Sequence, residues 1–240
     1  MYGKDSAELY DLLHGLRGKD FAGEAAVVAG LVDDRMPGAC SLLDIACGTG
    51  AHLAHLAERY DHVEGVELSE SMLSFARSRL PGVPLTLGDM RDFDLGRRFD
   101  AAICLFGSIG YVDSADGLDA ALRSFARHLN PGGVLVVEPW WSPDTFTPGH
   151  VSADVVEADG TSVARVSHAS LASPAGEASL MRVHYVVAHA DHGVRHFTEN
   201  HVCQLFGLDR YEAAFTAAGF TFERVETPLS ARGFLVGVRK

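Results

Sequence analysis

The segment Leu43-Asp44-Ile45-Ala46-Cys47-Gly48-Thr49-Gly50 constrains this chain more than any other. A short apolar run leads into a glycine turn, and the residues from Ala51 read as a helix. Such a run is a strand covered on both faces, which belongs in a parallel sheet. Gly48 and Gly50 permit positive φ and let a ligand touch bare backbone. Asp44, beside the turn, suits a cationic or hydroxyl-rich ligand. A dinucleotide fingerprint needs a third glycine where the pyrophosphate meets the helix N-terminus. Here His52-Leu53 follows instead, which argues against NAD or FAD.

The rest of the chain supplies neighbours for that strand. Leu9, Leu12, Leu13 and Leu16 recur at helical spacing, Gly15 and Gly18 interrupt them, and an Ala-rich helix starts at Phe21. Helices are expected over 51–60, 70–79 (capped by Ser69), 115–129 and 208–218, with strands over 62–67, 84–87, 99–105 and 134–138. Strands alternating with helices imply a parallel sheet with right-handed crossovers. The stretch 140–206 breaks that rhythm: Val155-Val156, 162–169, 179–188 and 194–205 read as strands, with turn signals at 173–176 and 191–193. It is expected to be an antiparallel sheet inserted after the fifth parallel strand. Strands at 221–226 and 233–238 close the chain. The expected organisation is helices and ligand-binding core in 1–139, the inserted sheet in 140–206, and a return to the core in 207–240.

Glu67 ends the second strand, roughly 20 residues past the glycines, where an acid holds ribose hydroxyls in nucleotide-binding sheets. Asp89 follows the third strand in Leu87-Gly88-Asp89-Met90, where a carboxylate can accept a hydrogen bond from an adenine amino group. These groups sit at the carboxyl ends of three consecutive strands, and such ends line the ligand crevice of open sheets.

The ordered series resembles the motifs of class I S-adenosylmethionine-dependent methyltransferases. The resemblance implies a Rossmann-like α/β fold: a seven-stranded mixed sheet with helices on both faces and its last strand antiparallel, here carrying the inserted sheet. It implies cofactor contacts from the backbone of Ala46 and Gly48 to the methionyl part, from Glu67 at the ribose, from Asp89 and Met90 at the adenine, and from Leu68, the neighbour of Glu67. Phe106, after the fourth strand, is expected to face the cofactor.

Other segments are similar to nucleotide-sugar N-methyltransferases: Tyr10-Asp11, Gly18-Lys19-Asp20-Phe21, Gly88-Asp89-Met90-Arg91-Asp92-Phe93, Val137-Glu138-Pro139-Trp140-Trp141, Ala164-Arg165-Val166-Ser167-His168, and Ser230-Ala231-Arg232-Gly233. That resemblance implies methyl transfer to the amino group of a thymidine-diphosphate-linked deoxyaminosugar. A diphosphate suits guanidinium forks, and Arg165, Arg182 and Arg232 are the candidates. Of Trp140 and Trp141, one is expected to stack on the thymine or wall the sugar and the other to plug the core.

Transfer from a sulfonium to a neutral amine is an in-line displacement. Alignment alone can lower such barriers by roughly 7–11 kcal/mol. Tyr10, Tyr111, His168 and His184 are possible helpers, with Tyr111 nearest the amine and suited to orient it. An O-methyl acceptor would need a stronger base or a metal, and neither is evident. A non-catalytic cofactor-binding protein is the reading from another class.

A net charge of −12 disfavours nucleic acid as a partner. The four cysteines form no C-x-x-C pair or zinc spacing, so no metal is expected, and Cys47 and Cys104 read as small buried hydrophobes. Met1-Tyr2-Gly3-Lys4-Asp5 lacks the layout of a signal peptide, and no apolar run reaches the roughly 20 residues that span a bilayer. The expectation is a cytoplasmic protein without a membrane partner. Val155, Val156, Val186 and Val187 on long inserted strands are expected to meet a second subunit in a symmetric homodimer.

Overall fold

The computed structural model describes residues 4–158, 160–173 and 176–240. Helices α1 (Lys4–Leu16) and α2 (Phe21–Asp33) precede the large sheet. Then come β1 (Ser41–Ile45), α3 (Ala51–Leu56), β2 (His62–Glu67), α4 (Glu70–Arg79), β3 (Leu85–Leu87) and β4 (Phe99–Cys104). A 3-10 turn (Ser108–Tyr111) leads to α5 (Ala115–Arg127) and β5 (Leu129–Val137). The inserted strands are β6 (Val151–Ala158), β7 (Thr161–Leu171), β8 (Ala178–His189) and β9 (Gly193–Gln204), followed by α6 (Leu208–Ala217), β10 (Glu223–Thr227) and β11 (Ser230–Val238). Ser69 caps α4 as expected, accepting from the Met72 N–H at 3.3 Å.

The large sheet runs β10-β11-β5-β4-β1-β2-β3. β1 to β5 pair in parallel, and β11 lies antiparallel to both β10 and β5. This is the mixed seven-stranded sheet implied by the motifs. Alternation along each strand sends Leu43, Ile45, Ala102, Cys104, Leu135 and Val137 into a core beneath α5 and α6. Leu42, Ala101, Ile103, Val134 and Val136 pack on the opposite face against Val28 and Val32 of α2 and Leu53 and Leu56 of α3. Each fully buried Leu or Phe contributes about 1.5–3 kcal/mol. The two packed layers fix the carboxyl ends of the strands, and the glycine turn projects from them.

The second sheet is the meander β6-β7-β8-β9. Its inner face carries Val156, Val163, Val183, Tyr185 and Val187, packed on Leu9 and Leu13 of α1. The N-terminal helix therefore shares a core with the insertion. The expected edge valines separate by parity: Val156 and Val187 are buried against α1, while Val155 and Val186 face outward.

Of the boundaries that differ from expectation, two have a clear local cause. α3 stops at Leu56, because the chain turns there and buries Tyr60 in the core shared with α2. β5 begins at Leu129, paired with Phe99, and shifts register before Val134, with Gly132 at φ +79° between them; the Pro-Gly-Gly stretch bends the strand where a stop was expected. In the expected turn at 173–176, Pro174 and Ala175 lie outside the described residues. No described helix is long and apolar enough to cross a membrane.

Candidate active site

The expected cofactor half is built from strand ends. Asp44, near the end of β1, is 3% exposed. Burial first, and then the neighbouring Glu67 charge, pushes its carboxyl well above the usual aspartate range. No hydrogen bond to that carboxylate is found among the described residues, so it is suited to a cationic ligand group. Ala46 follows at φ +61°, a left-handed conformation costly for a residue with a Cβ. Gly48, at φ +58°, has nothing within 4 Å of where a Cβ would lie, so its backbone is open to a ligand. Gly50 behaves differently: its Cβ direction is filled by Leu80 at 2.9 Å, and it shapes the turn against α4.

Glu67, at the end of β2, accepts from the Gly48 N–H at 3.0 Å and the Ser69 N–H at 2.8 Å. Burial raises its pKa while these N–H groups oppose the shift. Beyond β3, a pocket of about 50 Å³ is lined by Ala46, Leu68, Asp89, Met90 and Tyr111, among others. Arg91 grips Asp89 at 2.6 Å and reaches Asp113 at 2.6 Å, which holds the Asp89 carboxyl below the usual range. After β4, Phe106 sits at φ +57° and donates its N–H to Glu138 at 2.7 Å. The Lys19 ammonium lies 4.0 Å from the Phe106 ring centre. Both non-glycine residues with positive φ among the described residues, Ala46 and Phe106, therefore stand at the ends of adjacent strands.

The expected acceptor half is a cavity of about 300 Å³ between α1, the loop after β4, the end of β5 and the inner face of the inserted sheet. Arg165 is buried there, 3.1 Å from Ser167 Oγ and 3.7 Å from Asp154. Arg17, in the turn after α1, lies 3.2 Å from the same Asp154. His14 is pushed down to about 3, by burial and then by Arg17, Arg165 and Lys19, so it stays neutral in a field of cations. Trp140 walls the cavity and donates its indole N–H to Ser179 Oγ at 3.0 Å. A Cβ on Gly107 would meet that ring at 2.6 Å, so only glycine admits the indole there. Trp141 lies away from the cavity, and the Arg232 guanidinium sits 5.5 Å from each Trp ring.

Arg232 borders the cavity but is already paired. Its Nη2 lies 2.6 Å from Glu138 Oε1, which also accepts from Ser230 Oγ at 2.7 Å. Its buried Nε finds no hydrogen-bond partner among the described residues. Glu138 thereby joins Phe106 of the cofactor half to Arg232 of the acceptor half. Asp11 of α1 makes a second link, accepting from Thr49 Oγ1 in the glycine turn at 2.6 Å and pairing with Arg79 at 2.5 Å.

Tyr10 and Tyr111 line the acceptor cavity, and Tyr111 also lines the pocket at Asp89. Arg182 and His184 do not reach either. In β8 they alternate with the inward Val183 and Tyr185, so they stand exposed on the outer face, where His184 lies 3.3 Å from His196. His168, paired with Arg182, faces outward as well. The expectation that Arg182 and His184 serve the site is corrected by strand parity.

His14, Arg17, Glu138 and His201 were not singled out from the sequence. Glu199, His201 and Cys203 share one face of β9 at period two, a pattern that would have marked His201 once the inward face was known.

Residues 42–133 match the family model described as methyltransferase domain. The chain is 54% identical over 238 residues to dTDP-3-amino-3,4,6-trideoxy-alpha-D-glucopyranose N,N-dimethyltransferase of Streptomyces venezuelae, covering 99% of each. It is 53% identical over 237 residues to dTDP-3-amino-3,6-dideoxy-alpha-D-glucopyranose N,N-dimethyltransferase of Streptomyces fradiae, covering 99% of this chain and 92% of that one. Its fold is similar to that of S-adenosylmethionine-bound CalS10, an amino pentose methyltransferase from Micromonospora echinaspora, with TM-score 0.88, 43% identity and 97% of each chain covered.

Proposed function

The chain belongs to the S-adenosylmethionine-dependent N,N-dimethyltransferases of dTDP-aminosugars, and from that premise we propose that it methylates the amino group of a dTDP-linked deoxyaminosugar. The observation that carries the substrate reading is the acceptor cavity itself. In a chain of net charge −12, it gathers Arg17, Arg165 and Arg232 around a space that opens beside the cofactor pocket at Tyr111. A diphosphate is the ligand chemistry that such guanidinium groups recognise.

S-adenosylmethionine, when bound, supplies an electrophilic methyl on a sulfonium. Asp44 pairs with the ammonium of the methionyl part, an anion whose burial is relieved by a cation. The Ala46 and Gly48 backbone borders that part, Glu67 with Leu68 holds the ribose, and Asp89 with Met90 holds the adenine. Phe106 closes the pocket toward α1. Arg165 and Arg17 bind the diphosphate, Trp140 walls the sugar, and Tyr10 and Tyr111 flank the amine, with Tyr111 orienting its lone pair. Alignment in a site closed by α1 and the inserted sheet supplies most of the rate, on the order of 7–11 kcal/mol of barrier.

We also read the outer face of the inserted sheet, with Val155, Val166, Val186 and Val194 exposed, as the contact of a symmetric homodimer. Light scattering on the eluting protein tests it, and a monomer at micromolar concentration overturns it. The unpaired cysteines fit a reducing, cytoplasmic setting. The substrate reading is tested by incubating the protein with S-adenosylmethionine and a panel of dTDP-aminosugars, read by mass spectrometry. A product heavier by two methylene units supports it. No product from any member, with cofactor binding intact, overturns it.

A further inference from the structure

Tyr111 stands where the two cavities meet, and its hydroxyl is backed by a chain of polar groups. Tyr111 Oη lies 2.9 Å from His201 Nδ1, and His201 Nε2 lies 3.3 Å from Glu199 Oε2. His201 is 2% exposed, and the Glu199 side chain is 10% exposed. The Nε2 contact is one of charge rather than a hydrogen bond; the tautomer that carries its proton on Nε2, toward the carboxylate, leaves Nδ1 to accept from the tyrosine.

We infer that Tyr111, His201 and Glu199 form a proton relay that removes the proton left on the acceptor nitrogen after the first methyl transfer, and so permits the second. The inference rests on the aminosugar reading above and deepens it. A free amine taken from solution can undergo the first transfer unaided. That transfer leaves a methylammonium, whose nitrogen has no lone pair until a proton departs. In the relay the ammonium N–H bond breaks and a new O–H bond forms on Tyr111 Oη. The original Tyr111 O–H proton moves to His201 Nδ1, and the N–H electron pair stays on the acceptor nitrogen. The resulting imidazolium is stabilised by the Glu199 carboxylate at Nε2, and it returns its proton to water as the sugar leaves.

The charged and titratable groups around His201 come from each element at the cavity: Tyr111 on the loop, Glu199 and Cys203 on β9, Tyr185 on β8, Arg165 on β7, His150 before β6, Tyr10 and His14 on α1 with Arg17 just after it, and Arg232 on β11. His14 is another imidazole there, but burial first, and then the surrounding cations, hold it neutral. Only His201 pairs a tyrosine at one ring nitrogen with a carboxylate at the other, among the described residues. His201 and Glu199 act through Tyr111 and are positioning residues.

The test uses the full chain with dTDP-3-amino-3,4,6-trideoxyglucose and saturating S-adenosylmethionine, resolving mono- and dimethylated products by mass spectrometry across pH. His201→Asn keeps an acceptor oxygen for the tyrosine but cannot hold a proton. Glu199→Gln keeps shape and removes charge, and gives an independent reading if the first variant folds poorly. Both are expected to bind cofactor as the parent does and to accumulate monomethylated sugar. The second transfer should slow by roughly a hundredfold near neutral pH. It should recover as pH rises toward the range where alkylammonium groups deprotonate in water. An unchanged product ratio beside a dimethylating parent overturns the relay alone, as does equal slowing of both transfers with an unshifted pH profile. A parent that methylates neither this sugar nor any other member of the dTDP-aminosugar panel overturns the substrate reading and the relay with it.

Discussion

The cofactor pocket and the acceptor cavity share a wall at Tyr111 and are made in different ways. In the parallel sheet, the proposed binding groups lie within a few residues of strand ends: Asp44 near the end of β1 and Ala46 just after it, Glu67 at the end of β2, Asp89 after β3, Phe106 after β4. Much of that pocket is backbone, bent into left-handed turns at Ala46, Gly48 and Phe106. The proposed acceptor cavity takes Arg17 from the turn after α1, Arg165 and His201 from inserted strands, and Arg232 from the last strand. There the groups are side chains, and their charges have partners, Asp154 for Arg17 and Arg165 and Glu138 for Arg232. A pocket for one unvarying ligand can be written into turns on a rigid sheet. The second cavity is written largely into side chains outside those turns, many of them on a separate sheet, which can change without disturbing the turns.

Glu138 is where that separation is weakest, so its variant should have the largest effect. Glu138→Gln leaves Arg232 half-paired and loosens Phe106, and breaking such a buried pair costs about 3–5 kcal/mol. In a chain of this size, calorimetry should record a fall in Tm on the order of 10 °C. An unchanged Tm would show that the two halves are held independently.

Asp44→Asn should confine its damage to the cofactor side. The expected loss is about a hundredfold in affinity for S-adenosylmethionine, about 2.7 kcal/mol, by titration calorimetry. Stability without cofactor should respond in the opposite sense. Because the folded-state pKa is raised, the folded chain keeps a proton that the unfolded chain loses. Stability therefore falls as pH rises from the ordinary aspartate range, near about 3.9, up through the raised value. Urea unfolding at several pH values should show that slope flattened in the variant.

Arg165→Met sharpens the comparison from the other side. Losing a charged hydrogen bond worth about 1.5–3 kcal/mol should raise KM for the dTDP-sugar roughly tenfold or more, with cofactor affinity unchanged. A matching loss of cofactor affinity would mean that the cavities are coupled through α1. Arg182→Ala and His184→Ala should have the smallest effect. Both residues face outward, so turnover should stay within about twofold of the parent.

The large sheet was legible because its signals are local. The run ending at Ile45, the glycines after it and the acids at Glu67 and Asp89 each lie beside the strand that positions them. Ser69 was legible as a cap for the same reason, its partner being three residues away. Within the inserted sheet, strand existence was legible but facing was not. Arg182 and His184 were set in the site although Val183, Tyr185 and Val187 carry the apolar phase of that strand. A one-residue change of phase moves every side chain of a strand to the other face. The phase became certain only where Tyr185 pairs with Arg165 and the sheet meets Leu9 and Leu13 of α1.

Sequence alone determined the strand order's starting point, the glycine turn and the acids around it, because each depends on residues adjacent in the chain. Tertiary structure alone decided which arginines enter the cavity, that Glu138 occupies Arg232, and that His201 stands behind Tyr111, 90 positions apart. Those facts follow from how two sheets and a helix close on one another, a relation set by long-range packing and register that no local pattern encodes.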